Sequence, residues 1–489
     1  MLERIVSAVN GIVWSPPLVV LLIVAGLFFS FRTRFVQVRR LGLMVRSLFS
    51  KDSREKKDRK GISSFEAFCV ALSGRVGTGN IVGVATAIAL GGPGAVFWMW
   101  IIAFFGASTA FVESTLAQMY KFKHSSGFRG GPASYIEHGM KQKWMGMLFA
   151  IVTILGYGLM LTTVQANGVS SAMDNSFGIS KLASGLIVAF ILALVIIGGI
   201  KSIARVASLV TPFMALGYII LSLVIIGMNI DKVPEVLGSI FTGAFGIRPV
   251  AGGILGSTIM MGVKRGIFSN EAGQGGGAIV SASAEVPHPV RQGLAQSFSV
   301  YVDTILVCTA TALMILCSGC YNILDAGTGE ILYAGAPELG DNYVSYTQAA
   351  VDSAVKGLGG QFVSVALFFF VFTTIMAYYF YSESSIIYLF SRSRGNGAVW
   401  EKVCIWLMRI GILAATVFGA VRETNVIWQL GDIGVGLLAW INVIALLILS
   451  PKAILALKDY EGRMAAGEND PRYEPSGLGI EPGVWEEKD

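Results

Sequence analysis

The stretch Ser73-Gly74-Arg75-Val76-Gly77-Thr78-Gly79-Asn80 lies in the middle of an apolar segment that is long enough to cross a membrane. A second glycine cluster, Gly273-Gln274-Gly275-Gly276-Gly277, interrupts a similar segment far downstream. Backbone that leaves the helical conformation inside a bilayer is tolerated only where protein buries it or where it lines a cavity. Two such breaks predict discontinuous helices that face each other at the membrane midplane, where secondary transporters with inverted repeats build their substrate and ion sites.

Composition places the rest of the chain in the membrane as well. Of the 489 residues, 54% are hydrophobic and only 14% are charged, whereas about a quarter of the residues in soluble domains are charged. Apolar runs of about 20 residues are long enough to span a bilayer. We therefore predict an all-α membrane protein with about eleven transmembrane helices, at residues 16–31, 63–90, 94–118, 144–169, 182–199, 207–228, 251–280, 292–316, 361–388, 399–419 and 425–450.

The order of these segments predicts one extra N-terminal helix followed by a 5+5 inverted repeat. The extra helix is 16–31, the first repeat is 63–228 and the second is 251–450, and each repeat opens with a glycine-interrupted span. Because five is odd, the second repeat enters the membrane from the opposite side, as inversion requires. Residues 1–450 thus form a single transmembrane domain. The polar residues 451–489 are expected to form a partly disordered cytoplasmic tail.

The distribution of basic residues predicts the orientation in the plasma membrane. Eleven of the 37 Lys and Arg residues lie between Arg32 and Lys60. Loops on that side of the membrane carry 27 in total, against six on the opposite side. Basic residues accumulate in cytoplasmic loops, so the N-terminus is predicted outside and the C-terminus inside. The net charge of +6 therefore reflects topology rather than a nucleic-acid partner, although the first basic segment could also contact anionic membrane lipid.

The first break offers oxygen atoms for a cation and amides for an anion. Unwinding there frees the carbonyls of Ser73 and Val76 for a hard cation such as sodium. It also directs the N–H groups of Thr78 and Gly79, at the start of the next half-helix, toward an anion. An amino acid carboxylate suits these amides, and Asn80 lies beside them. The alternative is a small-residue face that only permits close helix packing.

Two adjacent hydroxyls occur midway along a later predicted span. Thr373 and Thr374 could complete a sodium site with the first break, and the alternative is that each hydroxyl bonds to its own helix. Gln165, with Tyr157, is a further candidate for lining the substrate pocket.

The second break carries polar groups and a charge. Asn270 and Gln274 could bind the two ends of a zwitterion, and the absence of a side chain at Gly273 leaves room for a small substrate. Glu271 and Arg75 have similar predicted depths, and each charge is costly alone in the membrane. We predict that they pair and tie the two broken helices together. The alternative is that Glu271 carries a proton.

Further charges lie toward the ends of the predicted spans. Lys264 and Arg265 lie on the outer half of the second broken span, and Asp432 lies near the outer end of the last one. A Lys264–Asp432 or Arg265–Asp432 pair could act as an outer gate or as a static structural contact. Asp303 and Glu113 are intramembrane acids that could carry a proton, bind an ion or satisfy a helix end.

The pair Cys317 and Cys320 lies at a predicted outer membrane edge. The two thiols could form a disulfide or bind a metal, but no second cysteine pair matches them, so a plain helix end is favoured. The polar segment 318–360 that follows could cover an entrance or could simply connect two spans.

The motifs carry a resemblance to a known family. Residues 77–100, GTGNIVGVATAIALGGPGAVFWMW, and residues 262–273, GVKRGIFSNEAG, together with Gly130-Gly131-Pro132, closely resemble signatures of the alanine or glycine:cation symporters of bacteria and archaea. The similarity extends from about residue 15 to residue 455. It implies the fold of the bacterial leucine transporter and sodium-driven import of a small neutral amino acid, with Na⁺ as the coupling ion and no organic cofactor.

The resemblance also implies roles for individual residues. It implies that the carbonyls of Ser73 and Val76 join Thr373 and Thr374 around sodium, and that residues 78–80 face the substrate.

Two departures and the breadth of the family leave part of this assignment open. Arg75 occupies a position that is apolar in the leucine transporter, and polar Asn270 lies near the position of its aromatic lid. Some members of the symporter family carry glutamine. Alanine or glycine is the expected substrate, with glutamine or serine as alternatives and proton coupling as a second possibility. No oligomeric state is specified.

Enzymes and channels fit the sequence less well. The chain has no His-Glu-x-x-His motif, and the surroundings of Asp303 and Asp432 lack the patterns of intramembrane aspartyl proteases. A channel requires a continuous pore or a ring of carbonyls or charges. Paired helix breaks favour alternating access instead.

Overall fold

The computed structural model describes residues 2–49, 61–246, 255–325, 327–391, 396–478 and 483–485. Parts of several predicted features lie outside the described residues. These are most of the basic segment up to Lys60, the start of the second repeat at 251, and the last residues of the tail.

Nearly all regular structure is helical. In the first half of the chain the helices are α1 Leu2–Val13, α2 Pro16–Arg32, α3 Val36–Arg39, α4 Leu41–Phe49, α5 Ser64–Arg75, α6 Val84–Gly91, α7 Gly94–Met119, α8 Pro132–Met140, α9 Lys143–Leu155, α10 Thr162–Phe177, α11 Lys181–Ile196, α12 Gly199–Met228 and α13 Val233–Ala244. In the second half they are α14 Leu255–Asn270, α15 Gly276–Ala282, α16 Pro289–Val300, α17 Thr309–Ser318, α18 Tyr343–Ala354, α19 Gly359–Phe390, α20 Gly397–Val421 and α21 Thr424–Ala465.

Short irregular elements complete the fold. Two antiparallel hairpins pair β1 Phe122–His124 with β2 Gly127–Arg129, and β3 Asn322–Leu324 with β4 Ile331–Ala334. Wide π-helical turns occur at Gly79–Gly83, Gly156–Leu161 and Tyr301–Cys308, and 3₁₀ turns at Pro337–Leu339, Ser476–Leu478 and Gly483–Trp485.

The predicted all-α membrane architecture is confirmed, but the count of eleven spans is not. In the part of the chain that the structure describes, eight helices are long and apolar enough to cross a membrane, or nine if the bent pair α5–α6 is one span. Two predicted spans do not meet this criterion of length and apolar composition. The helix α11 has only 16 residues, and α14–α15 carries the charges Lys264, Arg265 and Glu271.

Both predicted breaks interrupt helices. The first lies between α5 and the turn at Gly79–Gly83, where the helix axis bends by 50°. The second lies between α14 and α15, where Gly273 and Gly275 adopt φ values of 84° and 92°. Glycine adopts this left-handed region without steric cost. Glu271 has a φ of 55°, and such a conformation in a residue with a side chain is typical of functional sites.

The broken helices lie in a buried centre, and other helices surround them. Of the most apolar 18-residue stretch of each helix, 72% is buried in α19 but only 33% in α12 and in α20. Apolar side chains on the outward face of α12, such as Phe213 and Leu209, are 80% and 75% exposed. Exposed apolar faces of this size on a spanning helix are suited to lipid.

A short pairing joins the two broken spans at one end. The Ile62 N–H donates to the Ser283 carbonyl at 3.2 Å, and the Glu285 N–H donates to the Ile62 carbonyl at 3.0 Å. Gly61 N–H also donates to the Glu285 carboxylate. The loop charges predict this end to be cytoplasmic, and we call this end inner and the opposite end outer. The pairing, the inner junction, connects the start of α5 to the end of α15.

The last helix continues beyond the predicted boundary at residue 450. α21 passes Pro451 and ends at Ala465. The residues after Pro451 are rich in Ala, Leu and Lys, which favour helices, and Ala453 and Leu457 are buried. Residues 451–465 therefore form a helix with one packed face rather than part of a disordered tail.

Cys317 and Cys320 flank the end of α17, and both are free thiols. The helix ends at Ser318, and Gly319 follows with a φ of 74° and an N–H that donates to the Ile315 carbonyl at 3.2 Å. A glycine in this conformation is a common helix terminator. The two cysteines thus mark a helix end.

His288, immediately before α16, is buried in its neutral form. Its Nδ1 accepts a hydrogen bond from the Val290 N–H at 3.2 Å, so the proton lies on Nε2, which is 3.2 Å from Asp459 Oδ2. Burial lowers the pKa of His288 from 6.5 to about 4. Because the unfolded chain binds a proton at His288 more readily than the folded protein does, the fold is most stable above pH 6.5. This stability is lost as the pH falls from 6.5 toward the pKa of about 4 in the folded protein.

We therefore expect the thermal unfolding temperature to fall between pH 6.5 and pH 4 more steeply in the native chain than in His288→Asn. The asparagine can still accept from Val290 N–H but does not titrate. Unfolding of purified protein in detergent, followed across this pH range, measures both slopes. Equal slopes would contradict the neutral assignment.

Candidate functional site

At the first break, three backbone oxygens converge on one hydroxyl. The carbonyls of Ser73 and Val76 lie 2.8 and 3.1 Å from Thr374 Oγ1 on α19. The Phe370 carbonyl, one turn earlier in α19, lies 2.8 Å from the same atom. A hydroxyl has one proton to donate, so three acceptors share one donor. An excess of oxygen atoms of this kind suits a hard cation.

Thr373, the other predicted sodium ligand, bonds to its own helix. Its Oγ1 lies 3.0 and 3.1 Å from the carbonyls of Phe369 and Phe370 in its own helix, and 3.7 Å from Met214 Sδ on α12. Thr373 and Thr374 nevertheless share one partner, because both hydroxyls lie within 3.1 Å of the Phe370 carbonyl. In the described structure Ser73, Val76 and Thr374 are in direct contact, and Thr373 lies beside them without a hydrogen bond to either carbonyl of the first break.

The first break packs tightly between α10 and α19 because residue 77 is a glycine. A Cβ atom at Gly77 would lie 2.7 Å from both Gln165 Oε1 and Thr374 Oγ1. The Thr78 N–H donates to the same Gln165 oxygen at 2.8 Å, and the Gly77 N–H donates to Asn80 Oδ1 at 2.8 Å. Gln165 thus lies at the amides predicted to bind an anion, and a carboxylate would compete with its side-chain oxygen.

Asp303, in the wide turn between α16 and α17, links the two breaks. Its carboxylate accepts hydrogen bonds from Asn80 Nδ2 at 2.6 Å and from Ser269 Oγ at 2.9 Å. Thr304 Oγ1 donates to it at 2.7 Å. Gly79 allows the two breaks to approach each other here, since a Cβ at this position would lie only 3.2 Å from Ser269 Cα. The sequence marked Asp303 only as one intramembrane acid among several, because its partners are distant in the chain.

Arg75 ties the two broken helices together as predicted, but not through a direct contact with Glu271, on whose carboxylate its charge acts from a greater distance. Among the described residues, Arg75 makes no ion pair with Glu271. Its Nε donates to the Asn270 carbonyl at 2.6 Å, and its Nη1 donates to Gln296 Oε1 at 2.9 Å and to Ser299 Oγ. Backbone carbonyls are common partners of intramembrane cations. Arg75 therefore ties the first broken helix to the second through the backbone.

Glu271 faces α19 instead. The left-handed turn at Glu271 directs its carboxylate to Tyr381, whose hydroxyl donates to Oε2 at 3.2 Å. Tyr157 packs on Tyr381 and on Tyr378, with ring centroids 4.8 and 5.0 Å apart. These three tyrosines form an aromatic wall. The wall lies beside the first break, because Gln165, which contacts the Thr78 amide, also donates to the Tyr378 hydroxyl at 3.5 Å.

The other polar side chains of the second break stabilise its own turn. Asn270 Oδ1 accepts from the backbone amide two residues later at 3.0 Å. Gln274 Nε2 donates to the Ile267 carbonyl at 2.7 Å, and Tyr157 donates to Gln274 Oε1 at 3.2 Å. The Gly273 carbonyl accepts from a side chain of α21. All three residues are buried close to the breaks, and Asn270 Nδ2 is left without a hydrogen-bond partner in the described structure.

At the outer end, both predicted partners of Asp432 bind it together. Lys264 Nζ lies 2.7 Å from Asp432 Oδ2, and Arg265 Nη2 lies 2.7 Å from each carboxylate oxygen. All three side chains are largely buried. We call this group the outer charge cluster.

The outer charge cluster lies between an outer cavity and the first break. Arg265 packs on Trp428 and Phe268, 4.9 and 5.5 Å from their ring centroids. Phe268 in turn lies against the first break, where a Cβ at Gly79 would be 3.2 Å from its ring. The cavity has a volume of about 670 Å³ and is lined by the cluster, by Trp428, and by residues of the segment 318–360 that include Leu324, Asp325 and Tyr343.

We expect Gly77→Ala to destabilise the fold by about 1–3 kcal/mol, as overpacking of a buried site does. Gly83→Ala is the matched control, because a Cβ there meets its nearest atom only at 3.9 Å. Thermal unfolding of the two variants in detergent separates them. Equal unfolding temperatures would contradict the tight packing of the first break.

Comparisons with known proteins agree with this architecture. The sequence profile of the sodium:alanine symporter family matches residues 1–475. A Bacillus subtilis protein described as a putative sodium/proton-dependent alanine carrier is 49% identical over 485 residues, which cover 99% of this chain and 97% of that protein. A probable sodium/glutamine symporter of the same organism is 42% identical over 473 residues, 97% of this chain and 94% of that protein.

A solved structure shows the same fold at low identity. The transporter MhsT, in complex with L-phenylalanine, superposes with a TM-score of 0.55 and 13% identity, and covers 82% of this chain and 99% of its own. The fold of the bacterial leucine transporter, which the resemblance implied, is therefore confirmed.

Proposed function

The chain belongs to the sodium:alanine symporter family, and from that premise we propose that it imports alanine or glycine by sodium-coupled alternating access. The single observation that carries the proposal is the convergence of the Ser73 and Val76 carbonyls on the Thr374 hydroxyl at a helix break. The members of this family are carriers and not enzymes, in agreement with the absence of catalytic motifs in the sequence.

Sodium binds at the first break in this proposal. The carbonyls of Ser73 and Val76 and the hydroxyl of Thr374 supply three oxygen ligands from two helices, α5 and α19. A cation among them removes the conflict between three acceptors and one proton. It also fixes the first break against α19, so the ion shapes the substrate site next to it.

The substrate carboxylate binds the amides of Thr78 and Gly79, next to Asn80. Helix N-terminal amides and the local dipole favour an anion there. Gln165 Oε1 lies 2.8 Å from the Thr78 amide nitrogen in this structure. The substrate carboxylate displaces this oxygen when it binds. Gln165 then remains as a polar contact for the bound molecule.

Close packing around the first break supports a small substrate. The aromatic wall of Tyr157, Tyr378 and Tyr381 closes one side, and Phe268 closes the outer side against Gly79. The second break contributes the remaining wall through Asn270, Gly273 and Gln274. The Gln274 side chain and the Gly273 carbonyl are already bonded within the protein and give shape, whereas Asn270 Nδ2 makes no hydrogen bond in the described structure and can donate to the substrate.

Alternating access requires the outer and inner ends to close in turn. The outer charge cluster and the Phe268–Trp428 pair form the outer closure, and the inner junction at Ile62 forms the inner one. Sodium entry supplies the driving force, about 2.3 kcal/mol per charge for each 100 mV of membrane potential.

The family includes proteins named for other substrates and ions. The relative named a glutamine symporter makes glutamine the first alternative, with serine as a smaller variant. The relative named a sodium/proton-dependent carrier makes proton coupling a second candidate. The buried Asp303 favours that candidate, because its carboxylate contacts Asn80 and Ser269 at both breaks.

We also propose the setting in the cell. The protein lies in the plasma membrane with its N-terminus outside and its C-terminus inside, as the basic loops predict. The exposed apolar side chains of α12 contact lipid there.

We expect Thr374→Ala to raise the sodium concentration for half-maximal uptake at least about tenfold, the effect of roughly 1.4 kcal/mol of lost binding. Thr416→Ala on α20 is the matched control, because its buried hydroxyl donates to the Ile412 carbonyl of its own helix at 2.8 Å. Uptake measured against external sodium gives both values. Equal sodium activation in the two variants would remove Thr374 from the ion site.

The function itself is tested by uptake of labelled alanine into proteoliposomes under an imposed sodium gradient. We expect accumulation that depends on sodium and is reduced by unlabelled glycine. Uptake of glutamine without alanine would keep the fold and change the substrate. Accumulation driven by a proton gradient alone would move the coupling site to Asp303.

A further inference from the structure

The residues after α21 return to the inner end of the protein. The described parts of this segment, 466–478 and 483–485, are called the tail here. The Tyr473 N–H donates to the Pro287 carbonyl at 3.0 Å, just before α16. The Tyr473 ring lies 5.1 Å from the ring of His288 and 5.2 Å from that of Trp485. Arg463 holds the tail to α21 through Glu474 Oε2 at 2.9 Å.

Hydrogen bonds join the inner end of α7 to the end of α15. Gln118 Nε2 donates to the Ser281 carbonyl and, at 3.0 Å, to the Ala284 carbonyl. Lys121 Nζ donates to the Ala284 carbonyl at 3.2 Å and to Gln118 Oε1 at 2.9 Å. Ala284 is also the residue that pairs with Ile62 across the inner junction. Gln118 in α7 and Lys121 just after that helix thus hold one strand of the junction.

Trp485 covers these two side chains. Its Nε1 donates to the Gln118 carbonyl at 2.9 Å, and its ring lies 4.4 Å from Lys121 Nζ. The Lys121 side chain is only 7% exposed. A desolvated ammonium over an indole face is a favourable contact, and it is lost if either group moves away.

We infer that the tail is an inner latch, in which Trp485 positions Gln118 and Lys121 and so holds the inner junction closed. The inference rests on the proposed alternating access, since a junction that must open for release needs a contact that gives way. The latch couples the C-terminal tail to the second broken helix. Trp485 is a positioning residue because it touches neither the first break nor the ion site.

The test follows the exposure of the inner junction with a reporter cysteine. Ser283, in the junction, is 2% exposed, and its Oγ makes no hydrogen bond within the described structure, so Ser283→Cys disturbs little. Cys320 and Cys404, the two half-exposed native thiols, are replaced by serine. A polar maleimide then labels the protein in nanodiscs, where both faces are accessible, and the parent without Ser283→Cys gives the background.

We expect Trp485→Ala to raise the labelling rate of Ser283→Cys at least about fivefold, the effect of losing one hydrogen bond and one cation–π contact. Trp485→Phe keeps a ring over Lys121 and should give a smaller increase. Asn469→Ala, at an exposed tail position, is the matched control and should leave the rate unchanged. Truncation after Ala466 removes the Tyr473 contacts as well as Trp485, so it should raise the rate at least as much as Trp485→Ala.

An outer reporter distinguishes a latch from general loosening. Thr86 lines the outer cavity and is 6% exposed, so Thr86→Cys reports on the outer side. Release of a latch shifts the protein toward inner exposure, and the outer labelling rate should stay the same or fall. Unchanged inner labelling in Trp485→Ala, or an equal rise at both reporters, would overturn the latch. If the truncated chain aggregates, the point variants decide.

Failure of the latch and failure of the proposed function give different results. Labelling needs neither sodium nor substrate. Unchanged labelling with intact sodium-driven alanine uptake would reject the latch alone. Altered labelling without any sodium-driven uptake would reject the symport proposal and keep the tail as a conformational contact.

Discussion

The freed carbonyls of the first break are the constraint on which the rest of the structure depends. Lipid cannot satisfy unpaired backbone oxygens, so the protein must surround them with donors or with a cation. Thr374 approaches them from α19, and Gly77 makes this approach possible because it has no side chain. Arg75, one residue before Val76, then fixes the break to the backbone of the second broken helix. Ion binding, substrate binding and closure all converge on this point.

The general architecture could be predicted from the sequence because its signals are local. Apolar runs give the helices, and glycine clusters give the breaks at α5–α6 and α14–α15. A pairing of Asp432 with Lys264 or Arg265 was also accessible, since isolated charges in a span need partners, but the binding of both together was not. The count of spans was less secure. α11 is short, and α14–α15 is polar, so length and hydropathy alone do not define a span there.

The partners of individual side chains were harder to predict, because they depend on directions that spacing does not specify. Arg75 and Glu271 have similar depth, yet the left-handed backbone at Glu271 turns its carboxylate toward Tyr381. Thr373 and Thr374 both contact the Phe370 carbonyl, yet in the described structure only the Thr374 hydroxyl also reaches the carbonyls of the first break. The return of the tail to the inner end rests on Tyr473 and Trp485, single aromatic residues in a segment whose composition otherwise indicates disorder.

The central claim is that sodium at the first break builds the substrate site, and binding linkage tests it most directly. Alanine affinity of the purified protein, measured by calorimetry at increasing sodium and constant ionic strength, should rise with sodium. The sodium affinity should rise by the same factor when alanine is present, because such coupling is reciprocal. Alanine binding of equal strength in sodium and in potassium would contradict the account.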